Sequence, residues 1–114
     1  MASPIKALAE EVQAGFAGFD PHNVADMEGM FQDMPDFFDQ FTTGIRTLAS
    51  RFGEQLPVDP RVAEAIMEVG ATLSGLADHC RETHKLFEQA HETELERLRN
   101  PRPQEKIWDV QNNQ

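Results

Sequence analysis

Apolar residues recur along this chain at helical intervals. Val24, Met27, Phe31, Met34, Phe38, Phe41, Ile45, Leu48 and Phe52 follow alternating steps of three and four, the heptad spacing that lays one stripe along one face of a helix. A strand, with its period of two, does not produce this pattern. A second series keeps the rhythm through Val62, Ile66, Val69, Leu73, Leu76, Cys80, His84, Phe87, His91, Leu95 and Leu98. Its extra steps of four, at Cys80–His84 and His91–Leu95, act as stutters that unwind a supercoil locally. A shorter series, Ile5, Leu8, Val12 and Phe16, precedes both.

Helix-start signals agree with these periods. Ser3-Pro4, Asp20-Pro21 and Asp59-Pro60 each set a capping side chain before a proline at the first helical position, which predicts three helix starts. The first helix is expected over about residues 4 to 13, with Gly15 and Gly18 beyond its end, packing as a lid. The second is expected from residue 21 to residue 52. Pro35 lies inside it and its ring would meet the carbonyl of Phe31, but the heptad count runs unbroken across it, so a kink that keeps register is expected near Pro35. A turn over 53–59 follows, then a last helix from residue 60 to residue 99 stopped by Asn100-Pro101-Arg102-Pro103. At 1.5 Å per residue the two long helices would measure about 48 and 58 Å, matched closely enough for an antiparallel hairpin. The predicted fold is therefore all-α: a short N-terminal helix within 1–19, a helical hairpin over 20–99 and a flexible C-terminal tail over 100–114. Gly70 falls at the edge of the seam, where close backbone approach would account for it; Gly75 has no such reason.

Some apolar residues do not fit these stripes. Phe37 and Phe38 are adjacent and cannot share one face, Met30 lies off the stripe, and Met67 and Leu86 fall on the far side of the last helix. Two helices and a lid cannot bury aromatic residues on several sides. Pairing into a four-helix bundle, as a homo-oligomer or with a similar helical hairpin, is the simplest remedy. Phe38, Phe41, Ile45 and Leu73 are then expected near the centre of the partner interface. The tail carries the only tryptophan, in Ile107-Trp108-Asp109-Val110. An exposed indole gains nothing from water, so this segment is expected to dock on its own hairpin or to anchor a further protein partner, which makes Trp108, Asp109 and Val110 a second candidate binding set.

Composition narrows the function classes. With 39% apolar residues in 114, the chain supports one modest core. Twenty carboxylates against ten Lys and Arg give a net charge of −10, so direct binding to nucleic acid or to an anionic membrane is disfavoured. Eight acidic residues lie from Glu10 to Ile45 without one Lys or Arg, whereas Arg97, Arg99, Arg102 and Lys106 cluster at the other end. In an antiparallel hairpin those poles meet, bringing Arg97 and Arg99 near Asp20, Asp26 and Glu28, with surface pairs worth about 0–1 kcal/mol each. The single cysteine, Cys80, cannot form an internal disulfide, and residues 1–6 lack the basic flank and apolar run of a signal peptide. A cytoplasmic location is expected.

Candidate chemistry is sparse. Cys80, His84 and His91 share one helical face, as soft metal ligands would, but Leu73, Leu76, Phe87 and Leu98 lie on the same stripe, so the trio reads as a core seam without metal. Asp33, Asp36 and Asp39 read as a solvated flank. The chain has no Gly-rich phosphate loop, nucleophile elbow, HExxH or CxxC pair. No catalytic site and no cofactor are expected.

The predicted hairpin, over residues 21 to 99, resembles the WXG100, or ESAT-6-like, superfamily in length and architecture. Arg51-Phe52-Gly53 stands where that family has Trp-x-Gly, and with no tyrosine the chain lacks the Tyr-x-x-x-Asp/Glu export signal. The resemblance implies a small, non-catalytic partner protein of a bacterial type VII-like secretion or FtsK-like translocation system, with export by such a route left open. The functional expectation is a protein-protein interaction module or adaptor. The alternative is an acidic decoy or inhibitor, whose carboxylates imitate DNA phosphates and block a nucleic-acid-binding protein.

Overall fold

The computed structural model describes residues 3–100, and all of its regular structure is helical. Helix α1 spans Pro4–Ala17, α2 Val24–Glu54, α3 Pro60–Ala90 and α4 Glu92–Arg99. Helices α2 and α3, each of 31 residues, pack along their length as the expected antiparallel hairpin, and α4 continues along the open end.

Two of the predicted caps form as read. The Ser3 hydroxyl accepts from the Ile5 amide and the Asp59 carboxylate from the Arg61 amide. At the second start the chain behaves differently: Asp20-Pro21-His22 stays in the connection, and Asn23 caps α2 by accepting from Asp26 N at 2.8 Å. Asp26 in return accepts from His22 N at 3.0 Å. This reciprocal pair satisfies amides that the proline start would leave open. Pro35 sits buried inside α2, and the helix runs through it without a break. Gly53 is still helical, the turn begins at Gln55, and Arg51-Phe52-Gly53 therefore lies in the last turns of α2, not in the loop.

The single last helix expected to residue 99 is interrupted. His91 leaves helical geometry at φ −115° and ψ 25° and divides α3 from α4. The division falls at the second stutter and turns Leu95 inward, where it is 3% exposed. Helix α1 runs four residues further than predicted and is no lid: no Cα in it comes within 8 Å of a Cα in another helix. It touches the hairpin through Phe16, whose ring meets Phe37 edge to face at 5.3 Å. The radius of gyration, 21.0 Å, far exceeds the ~13 Å of a compact domain of this size. Much apolar surface is consequently left open.

Candidate functional site

The most buried positions of the hairpin sit one residue beyond parts of the predicted stripes. On α2 they are Pro35, Thr42 and Ala49, and on α3 Gly70, Leu73, Ala77 and Phe87. Small residues set this rotation. Ala49 and Ala77 are shut off from solvent, and a Cβ added to Gly70 would lie 3.2 Å from Arg46 Cγ and 3.6 Å from Ile45 Cγ2. What covers Gly70 is the side chains of Ile45 and Arg46, and not a neighbouring backbone as expected; Gly75 faces open space. Thr42 is tolerated in the seam because its hydroxyl donates to Phe38 O at 2.8 Å.

The rotation has a consequence for the surface. In antiparallel helices, the residue preceding a seam position turns off the interface toward the same side on both helices. Phe41 on α2 and Val62, Val69 and Leu76 on α3 thus emerge on one common flank, Phe41 at 44% and Val69 at 50% exposure. The residues that follow the seam positions, Asp36, Thr43 and Ser50 on α2 with Ala71 and Asp78 on α3, are exposed on the opposite flank. One side is apolar and the other mostly polar. The apolar side continues toward α1, since Phe37 contacts Phe16, Phe38 and Phe41. Beside it, Val12, Phe16, Phe19, Met30 and Phe37 line a shallow groove between α1 and α2. Beyond that, Ile5 and Leu8 of α1 are exposed. Met30 and Phe37, two of the residues that did not fit the stripes, belong to this surface.

Of the residues expected at a partner interface, Phe41 lies on this flank. Phe38 and Ile45 are half-buried in the seam between α2 and α3, and Leu73 is buried there. Trp108, Asp109 and Val110 lie outside the described residues.

A separate polar cluster closes the open end. The Arg99 guanidinium reaches Glu28 on α2 and, at 3.3 Å, Glu88 on α3. This realises the predicted meeting of the charge poles, with Arg99 at Glu28. Arg81 on α3 likewise joins Asp39 and Asp78, so part of the acidic face is neutralised from within. His84 Nε2 stands 3.8 Å from Glu28 Oε1 and 4.0 Å from Glu88 Oε2. Cys80, His84 and His91 do not converge: His91 Nδ1 pairs with Glu94 at 2.9 Å and its ring lies along Phe87. Sequence reasoning missed Glu28 because only the register of the folded hairpin sets it against His84, whereas Glu88, four residues beyond His84 on one helix, was legible in the spacing and was not weighed.

No helix among the described residues is long and apolar enough to cross a membrane. Comparison of the chain with protein-family models, curated proteins and solved structures found no match.

Proposed function

We propose that this protein is a non-catalytic interaction module that pairs, through the apolar flank centred on Phe41, with a second helical hairpin to complete a four-helix bundle. The supporting observation is the set of exposed apolar residues, Phe41, Val69 and Leu76 among them, gathered on one flank of a single-layer hairpin. A continuous apolar strip costs free energy in water, at roughly 25 cal/mol per Å² of area that a partner would cover. The second hairpin is a copy of this chain or a chain of similar pattern. In this reading the likeness to WXG100 proteins extends to the role of a small partner in a type VII-like secretion or FtsK-like translocation system.

The acidic-decoy reading is the weaker one. Phosphate imitation needs uncompensated carboxylates, and here Asp39 and Glu28 are engaged by Arg81 and Arg99.

Sedimentation of the purified chain at tens of micromolar tests the pairing. The expected result is a dimer for the wild type and a helical monomer for Phe41→Glu, whose charge would be trapped in the interface. A wild-type monomer that is fully helical with a sharp thermal transition, and that also stays single when mixed with a candidate hairpin partner, sinks the proposal.

A further inference from the structure

The polar cluster at the open end of the hairpin holds more than an ion pair. Glu28 and His84 are the inner members, with side chains only 16% and 21% exposed. Glu88, one helical turn beyond His84 on the same face of α3, brings the second carboxylate. One ligating atom from each of the three lies within 4.8 Å of the others. His84 Nε2 is buried and has no hydrogen-bond partner. An imidazole nitrogen without a partner costs free energy unless something accepts from it or binds its lone pair. Arg99 reaches the two carboxylates from the solvent side, its own side chain 56% exposed. As a donor-only group it can serve the carboxylates, and no hydrogen bond links it to the histidine.

We infer that Glu28, His84 and Glu88 form a divalent transition-metal site, with zinc the best-matched ion, and that Arg99 is the cation the metal displaces. The donor set is one imidazole nitrogen and two carboxylate oxygens. Imidazole favours zinc over magnesium or calcium, which take oxygen ligands. Ligand atoms around a tetrahedral zinc stand about 3.3 Å apart. The two imidazole-carboxylate separations, 3.8 and 4.0 Å, and the 4.8 Å within which all three atoms lie, would close toward that value by rotation of the two glutamate side chains. Two carboxylates and a neutral imidazole balance the dipositive ion, and three protein ligands leave one position for water. Glu28 comes from α2 and the other two ligands from α3, so the ion would clamp the open end of the hairpin. The sequence alone favoured no metal here, because Cys80, His84 and His91 were the trio in view; the folded chain supplies different partners for His84. The inference does not depend on pairing with a second hairpin, since all three ligands belong to one chain.

Calorimetric titration of EDTA-stripped protein with zinc chloride tests it, with cobalt(II) absorption as a second readout of ligand geometry. One ion per chain is expected, with a rise in Tm on zinc addition. Glu88→Gln, a change at a partly exposed side chain, and His84→Asn should each weaken zinc binding by about tenfold or more with helicity retained. Arg99→Ala should tighten it, because the competing cation is gone. The Phe41→Glu variant should bind zinc as the wild type does, even where it no longer pairs. No binding at roughly 100 μM zinc would overturn the proposal. So would binding that survives both Glu88→Gln and His84→Asn, or binding that Arg99→Ala weakens.

Discussion

The two ends of the hairpin solve the same packing problem in different ways. From the turn to the middle of the hairpin, small residues occupy the seam, Ala49, Gly70 and Ala77, and the side chains of Ile45 and Arg46 lie over Gly70. Toward the open end, the seam is filled by rings. Phe31 lies against Phe87 with ring centroids 4.7 Å apart, and His91 lies at the same distance from Phe87. At the rim of this aromatic half stands the Glu28, His84, Glu88 and Arg99 cluster. One heptad rhythm therefore serves two kinds of interface, one lined by small residues and one by stacked rings with charged groups at its rim.

Substitutions that exchange the character of the two halves would break or sharpen this contrast. The largest effect is expected at the open end, where Phe87→Ala removes a ring that is 8% exposed and packed against Phe31 and His91. Chemical denaturation should register a loss of about 3–5 kcal/mol. A loss under about 1 kcal/mol would mean that the aromatic half contributes little to the seam. In the tight half the damaging change runs in the opposite direction. Ala77 is fully buried, and Ala77→Leu should cost about 1–3 kcal/mol through overpacking. If that variant is neutral, the helices are not held close there.

The smallest effect belongs to the turn itself. The Arg61 guanidinium, and then the Arg61 amide, hold the Asp59 carboxyl below its ordinary value of 3.8. Because the folded value is the depressed one, the stabilisation is complete above the ordinary carboxylate range and is lost as pH falls through the lowered value. A carboxyl-carbon NMR titration should place the Asp59 midpoint below 3.8, and Arg61→Ala should move it back up. An unchanged midpoint in that variant would remove the side chain as the main cause.

How much of this was legible in advance can be judged from individual residues. Ser3 and Asp59 were readable as caps because a side chain two residues from an open amide acts locally. Asp20 was misread for the same local reason: Asn23 offered a competing cap, and its reciprocal partner Asp26 made that one win. The heptad count correctly carried α2 through Pro35. The count also ran through His91, where the helix in fact divides, since a stutter can be absorbed by gradual unwinding or by a break and periodicity does not distinguish them.

The sequence by itself determined the all-helical class, the short first helix and the antiparallel hairpin of two long helices, because hydrophobic period, caps and a short proline-marked turn are properties of neighbouring residues. Tertiary structure decided the rest. Periodicity locates a buried face to within about one residue, or 100° of helix rotation, and the burial of small residues at Ala49, Gly70 and Ala77 chose among those rotations. That choice sent Phe41, Val69 and Leu76 to the surface and Thr42 into the seam. The same registration placed Glu28, 56 residues from His84 in sequence, beside its imidazole. No local signal carries that information, since it arises when two helix faces settle at the one rotation and offset that their smallest side chains allow.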